Sequence, residues 1–354
     1  MKGLILAAGL GTRLRPITSL APKPTISVAN KPLIHYAVDN LIDAGISEIG
    51  IVVSPNTMTS IRTTLEDYRG ASYDYIVQNP PKGLAHAVQV SQDFLGDDQF
   101  VMYLSDNLFE HGVKDMVASF DAGTMNAMLA LIEVEDPRAL GVAVVENERI
   151  TKLVEKPKVP PSNLAVAGVY VFDKRIHDMI KDLKPGAKGE YQITDAIQML
   201  IDDGAHVASS RVTGWWKDTG KPEDILDANR LLLLQTKRTI RGTVEDAELV
   251  GEVYIAAGAS IKNSTIFGPV LIGCNTVIED AFIGPYTTVG NNSRIVNAEL
   301  EYAVVGQNTT VESVKSRIQG SLIGEHVEIT GRDGRPSTHK LTIGDMSKVI
   351  LQET

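Results

Sequence analysis

The sequence predicts two domains of different class: an α/β domain on a mostly parallel sheet, then a parallel β-helix. Three observations carry this. Short apolar runs alternate with amphipathic stretches through roughly the first 230 residues, the pattern of βαβ units whose sheet is covered on both faces. From about Gly251 aliphatic residues recur mostly every six positions, the period of one short strand and one turn wound into a β-helix. The length of 354 residues is about two average domains.

The elements follow in order. Leu4 to Ala7 reads as a strand, and Lys31 to Ala44 as a helix closed by Gly45. Glu48 to Val53 and Tyr75 to Val77 are strands, and Ala85 to Phe94 is a helix. Phe100 to Leu104 is a strand ending at Ser105-Asp106-Asn107. A connecting helix is expected near residues 225–238, with domains at 1–240 and 241–354. In the second domain Ile255, Ile261, Ile272, Ile278, Ile283, Val289 and Ile295 carry the repeat, and Val305, Val311, Ile323 and Ile329 continue it. Their side chains are expected to stack inside. The stretch Arg332-Asp333-Gly334-Arg335-Pro336 reads as an exposed turn in a peripheral tail.

Composition narrows the function. Acidic residues number 44 against 34 basic ones, a net charge of -10 that disfavours nucleic acid as a partner but permits a local basic pocket. The single cysteine, Cys274, leaves no intrachain disulfide and no cysteine metal site. The N-terminal apolar run is too short for a signal peptide, and no later run approaches the ~20 apolar residues of a membrane span. The expectation is a cytoplasmic protein with no membrane contact.

Residues with chemistry lie just after the strands, where open α/β sheets bind ligands. Leu6-Ala7-Ala8-Gly9-Leu10-Gly11-Thr12-Arg13-Leu14-Arg15-Pro16 is a Gly-rich turn followed by cations, with Lys23-Pro24 beyond it. Such a turn offers backbone N–H groups to phosphates. Leu14 stands where a dinucleotide fingerprint needs glycine, and the Gly-Lys-Ser/Thr of a Walker loop is absent. Taken alone, the loop also fits a plain turn with solvated cations.

Four more stretches stand out: Gln78 to Ala87, Ser105-Asp106-Asn107, Leu153-Val154-Glu155-Lys156-Pro157, and Gly214-Trp215-Trp216-Lys217-Asp218-Thr219-Gly220. An amide such as Gln78 supplies one donor group and one acceptor to a base edge. Two aspartates at strand ends can hold a hard cation whose shell is completed by water and phosphate. Each stretch by itself also fits a turn or a helix start.

Jointly these motifs resemble the sugar-1-phosphate nucleotidyltransferases over essentially the whole chain, in the long form with a C-terminal β-helix. The resemblance implies a Rossmann-like nucleotidyltransferase domain and a left-handed helix of hexapeptide repeats. It implies nucleotide contacts from Leu6, Ala8, Gly9, Gly11, Thr12, Arg13, Gln78 and Gly83, with Gln78 and Gly83 at the base. It implies sugar-phosphate contacts from Asn107, Gly141, Glu155, Lys156, Val166, Gly168 and Tyr170, with Glu155 on the hydroxyls and Lys156 on the phosphate. Asp106 and Asp218 are implied to hold Mg2+. Glu190, in Glu190-Tyr191-Gln192-Ile193-Thr194-Asp195, is either near the pocket or a helix start. His86 reads as helix surface or packing.

The implied reaction is attack by glucose 1-phosphate on the α-phosphorus of dTTP, with UTP as the second candidate. The attacking phosphate is already anionic, so positioning and the cations Arg13, Lys23 and Lys156 carry catalysis. Ala8-Gly9 and Lys23-Pro24 stand where compact thymidylyl members usually carry two glycines and Lys-Gln. Leu140 stands where an aromatic is common. The β-helix is expected to join copies into a homo-oligomer. Acyl transfer by that helix would want a positioned histidine, and the repeats contain only His326, with His339 beyond. A non-catalytic sugar-nucleotide binder would not need Arg13, Lys23, Asp106, Asp218 and Lys156 together.

Overall fold

The computed structural model describes residues 1–19, 21–186, 189–331, 343 and 346–350; the turn at 332–336 and His339 lie outside them. The chain divides into two compact units: Met1–Leu10, Pro22–Thr25 and Leu33–Asp218 form one, and Gly11–Ala21, Ile26–Pro32 and Thr219–Thr354 the other. No helix among the described residues is long and apolar enough to cross a membrane.

The first unit is built on a nine-stranded sheet. Ser72–Val77, Glu48–Val53, Lys2–Leu6 and Phe100–Leu104 lie side by side and parallel. Glu48–Val53 and Phe100–Leu104 have the bounds expected from sequence, because strands covered on both faces read as unbroken apolar runs. Leu164–Phe172 then pairs antiparallel with Phe100–Leu104, and Ala127–Glu133, Val207–Arg211, Arg149–Glu155 and Gly141–Glu146 continue the sheet. Gly141–Glu146 and Arg149–Glu155 form a hairpin whose two-residue turn, Asn147-Glu148, has φ of 52° and 63°, the left-handed turn that matches strand twist. Two apolar cores flank the sheet, one around Leu4, Phe100, Phe172 and Ile197, the other around Ile5, Ile34, Ile51 and Tyr103.

Three helices depart from their expected bounds, each for a local reason. The helix expected from Lys31 is Leu33–Asp43, because Lys31–Pro32 pairs as a short strand with Ser27–Val28. The one expected over Ala85 to Phe94 is Leu84–Val90 followed by Gln92–Leu95. Between them the Ser91 hydroxyl donates to Ala87 O at 2.8 Å, a back-bond that competes with the helix ladder. The connecting helix is Pro222–Leu233: proline suits its first turn, and the Lys221 N–H donates to the Asp224 carboxylate at 2.9 Å.

The second unit contains a parallel β-helix of short strands. Ser260 pairs with Val277, and Val277 with Arg294, so one coil takes 17 residues. Three six-residue turns would take 18, as from Thr310 to Glu328, so the 17-residue coils and the 16-residue coil from Arg294 to Thr310 carry shortened intervals. Ile261 and Ile266 span such an interval, and so do Ile295 and Leu300. All four are buried in the helix core. Ile266 and Leu300 are therefore inward residues that a strict six-residue count passes over.

Asn229, fully buried on the connecting helix, links this coil to another segment of the unit. Its Oδ1 accepts from Ala29 N at 3.0 Å and from Thr288 Oγ1 at 2.7 Å, and its Nδ2 donates to Tyr286 O at 3.1 Å. Ala29 and Asn30, with φ of 49° and 57°, form the turn of the Ser27–Pro32 hairpin, and Asn30 Nδ2 donates to Val289 O at 2.9 Å.

Candidate active site

Two aspartates 112 positions apart in sequence meet because a strand pair carries them together. Asn107–Phe109 pairs antiparallel with Trp216–Asp218, with Asp218 opposite Asn107. Lys23, in a one-turn 3-10 helix, is only 7% exposed, yet its ammonium lies 2.5 Å from Asp106 Oδ2 and 3.8 Å from Asp218 Oδ1. A buried ammonium is retained only with such partners. Upstream, Ser105 Oγ donates to Leu6 O at 2.8 Å, which ties the end of the Phe100–Leu104 strand to the end of the first.

Behind Asp106 its orientation is fixed. Asn107 Nδ2 donates to Asp106 Oδ1 at 2.8 Å, while Asn107 Oδ1 accepts from Trp216 Nε1 at 2.8 Å. Asn107 is 3% exposed, and its amide bonds both Asp106 and Trp216. Gly168, at φ 73°, is where a Cβ would stand 2.7 Å from the Asn107 amide carbon; glycine is needed here for a side chain's approach as well as for its backbone. Trp216 was legible as part of a motif, but its partner is 109 residues away and no spacing signals it.

A second cluster forms around Glu155. Its Oε1 lies 2.8 Å from the half-exposed Lys156 ammonium, and its Oε2 accepts from Thr194 Oγ1 at 3.1 Å. Lys156 adopts φ 42°, rare for a side-chain-bearing residue, and its N–H donates to Leu140 O at 3.0 Å. A Cβ at Gly141 would stand 3.0 Å from Thr194 Cγ2, 3.5 Å from Glu155 Oε2 and 3.6 Å from Val166 Cγ2, so Gly141 and Val166 belong to this cluster. Burial and then the Glu155 charge raise the Asp195 pKa. Tyr170 is buried and stacked on Phe172, with its hydroxyl pKa raised by burial and by Glu155. Thr194 is a pocket residue that sequence reasoning passed over, although it stands in the stretch beginning at Glu190. Glu190 itself accepts from Gln192 Nε2 at 3.0 Å.

Gln78 and Gly83 form a third cluster. Gln78 is 3% exposed and its Nε2 lies 3.0 Å from both Gly83 O and His86 Nδ1. Gly83 has φ 99°, and a Cβ there would stand 2.5 Å from Tyr191 O. Tyr191 N donates to Lys82 O at 2.7 Å, holding the turn closed.

The Gly-rich loop spans both compact units: Leu6, Ala8 and Gly9 belong to the first, while Gly11, Thr12 and Arg13 belong to the second. Gly11, at φ 59°, starts the turn Thr12–Leu14, and its carbonyl accepts from Leu14 N at 2.9 Å and Thr18 Oγ1 at 2.8 Å. Leu14 is buried, while Arg13 and Arg15 are exposed and make no ion pair among the described residues. Two guanidinium groups with no carboxylate partner beside a glycine turn suit an anionic ligand.

Among the described residues no cluster of three His, Cys, Asp or Glu side chains exists. The candidate cation site is thus the Asp106 and Asp218 pair, whose carboxylates already converge on one cation, the Lys23 ammonium. Two carboxylates with substrate phosphates and water are a fitting donor set for a small hard divalent ion.

Residues 2–235 match the family described as nucleotidyl transferase. A glucose-1-phosphate thymidylyltransferase from Streptomyces antibioticus is 42% identical, covering 99% of this chain and all of that protein. The low-salt glycan biosynthesis nucleotidyltransferase Agl11 of Haloferax volcanii is 45% identical over 99% of this chain and all of its own length. The solved structure of UDP-glucose pyrophosphorylase with UDP-glucose superposes with a TM-score of 0.59 at 30% identity, over 66% of this chain and 98% of that one.

Proposed function

The chain belongs to the nucleotidyl transferase family, and we propose that it joins glucose 1-phosphate to dTTP, giving dTDP-glucose and pyrophosphate. It is a sugar-1-phosphate nucleotidyltransferase. The observation that carries the reading is the Lys23 ammonium held between Asp106 and Asp218, a cation and two carboxylates at the end of a central strand. That arrangement suits a reaction in which negative charge spreads over phosphates and no proton need be removed from the nucleophile.

Residues 1–240 act as the catalytic domain and 241–354 as a β-helix that joins copies of the chain. Leu6, Ala8, Gly9, Gly11 and Thr12 receive the triphosphate, and Gln78 and Gly83 receive the base. Arg13 and Lys23 stabilise charge on the α-phosphate and the departing pyrophosphate. Glu155, steadied by Thr194, accepts hydroxyl protons of the sugar, and Lys156 orients the attacking phosphate. Gly141 and Val166 leave room for the sugar ring. Asp106 and Asp218 hold Mg2+, which when bound supplies charge neutralisation on the phosphates. Asn107 and Trp216 keep Asp106 in place for it. The protein acts in the cytoplasm on these small molecules, without nucleic acid or membrane.

UTP in place of dTTP is the second reading, favoured by the likeness to UDP-glucose pyrophosphorylase. One methyl group is worth about 1–3 kcal/mol of discrimination in an apolar pocket, so both nucleotides can turn over. Pyrophosphate release with Mg2+ and glucose 1-phosphate, run in parallel against dTTP, UTP, CTP, GTP and ATP, tests both. Release with dTTP supports the first reading, and release with UTP alone supports the second. No release with any nucleotide across a panel of sugar phosphates overturns the enzymatic assignment.

A further inference from the structure

Gln78 can read a base edge in two opposite senses, because its amide has a donor at one end and an acceptor at the other. In this fold its sense is fixed from behind. Nε2 lies 3.0 Å from Gly83 O and 3.0 Å from His86 Nδ1. A backbone carbonyl only accepts, so the amide nitrogen and not the oxygen must face Gly83. That makes His86 Nδ1 an acceptor as well and puts the imidazole proton on Nε2. Both amide protons of Gln78 are then used, and no described residue donates to its Oε1. The carbonyl of Gly83 cannot turn away cheaply: its φ is 99°, and the bonds of Tyr191 N to Lys82 O and of Ala85 N to Tyr191 O hold the turn on both sides.

We infer that His86 is a positioning residue for base selection. By accepting from Gln78 it holds Oε1 outward, as an acceptor that the imide N–H of thymine or uracil satisfies and that the bare ring N3 of cytosine does not. The inference rests on the proposed reading of Gln78 as the base contact. It gives the His86 imidazole a task that its place on a helix face does not suggest.

The device depends on protonation. A charged imidazole presents a second donor to Gln78 Nε2, and turning the amide over would set its oxygen against Gly83 O. Neither orientation then satisfies both neighbours. The groups around the ring favour the neutral form: burial and then the Lys82 ammonium push its pKa below 6.5, while the Tyr191 ring lies alongside at 6.3 Å. Gln78 carries no charge. Selection is intact at neutral pH and weakens as acid protonates His86.

The test is the ratio of kcat/KM for dTTP over dCTP, measured for wild type, His86→Phe and His86→Gln at pH 7.5 and 5.5. His86→Phe removes the acceptor, and the ratio falls by about tenfold or more, the worth of one misdirected buried hydrogen bond. His86→Gln restores an acceptor that does not titrate, so the ratio returns to within about threefold of wild type and loses its pH dependence. A merely structural role lowers both kcat/KM values together and leaves the ratio unmoved; that result with an active wild type overturns the inference alone. A wild type silent with every nucleotide overturns the reading of Gln78 and this inference with it.

Discussion

Gly168→Ala separates two reasons why a glycine stands beside the candidate cation site. Its φ of 73° lies in the left-handed region, which costs a side-chain-bearing residue about 1–2 kcal/mol. The new methyl group would also stand 2.7–2.9 Å from the carbon, oxygen and nitrogen of the Asn107 amide. Asn107 has no retreat that keeps its bonds, because Nδ2 is held by Asp106 at 2.8 Å and Oδ1 by Trp216 at 2.8 Å. Surrendering one of these buried bonds adds about 1–3 kcal/mol, so the substitution costs about 2–5 kcal/mol in all. The assay is urea unfolding of Gly168→Ala in the wild-type background and again in Asn107→Ala, where the clash is gone. The cost is expected to fall to about 1–2 kcal/mol in the second background, leaving the backbone strain alone. Equal costs in both backgrounds refute the claim that Asn107 demands the glycine.

Arg13→Ala removes an exposed guanidinium without a carboxylate partner and is expected to lower kcat about 10²–10³-fold with unfolding unchanged; near-wild-type turnover in the pyrophosphate assay removes it from the mechanism. Asn229→Ala leaves Ala29 N, Thr288 Oγ1 and Tyr286 O without their buried partner and is expected to cost about 2–4 kcal/mol in denaturant unfolding; a change under about 0.5 kcal/mol would show that those groups find other partners. His177 is buried on Phe100, and its Nε2 finds no partner among the described residues. Burial, and then Lys181, depress its pKa below 6.5, so the unfolded chain takes the proton first. The stability held by the neutral ring is complete above pH 6.5 and drains as pH falls toward the folded value. His177→Phe should flatten that acid limb in thermal unfolding scans between pH 7 and 5, and an unaltered slope would mean that His177 does not set it.

The strands at Glu48–Val53 and Phe100–Leu104 were legible to the residue because burial on both faces leaves no polar interruption. The β-helix was legible in its period, but not in its coil length. A repeat of six predicts positions, whereas coils of 17 and 16 follow from closing three unequal sides, and so Ile266 and Leu300 were passed over. In the site, sequence named Asp106, Asp218, Lys23, Glu155 and Lys156, and the structure brings them into two clusters. It could not tell a residue that faces a ligand from one that holds its neighbour. Asn107 follows Asp106 in sequence and reads as a binding residue, and its bonds to both Asp106 and Trp216 have no sequence signal. Thr194 was passed over for the same reason: it acts on one partner, Glu155, and a hydroxyl on a helix carries no mark of that partner.

The residues on either side of Lys23 divide between the two units. Lys23 lies in Pro22–Thr25, a four-residue excursion into the first unit whose flanks, Gly11–Ala21 and Ile26–Pro32, both belong to the second. The second flank is anchored within its own unit through Ala29 and Asn30, by Asn229 and by the coil at Val289. The first begins at Gly11, whose carbonyl is held by Leu14 and Thr18. The bonds at Ala29 and Asn30 leave the Ser27–Pro32 hairpin few backbone states, an order that belongs to the second unit alone. A helix of stacked coils, stiff because inward side chains are locked by their neighbours, is a suitable anchor for such a hairpin.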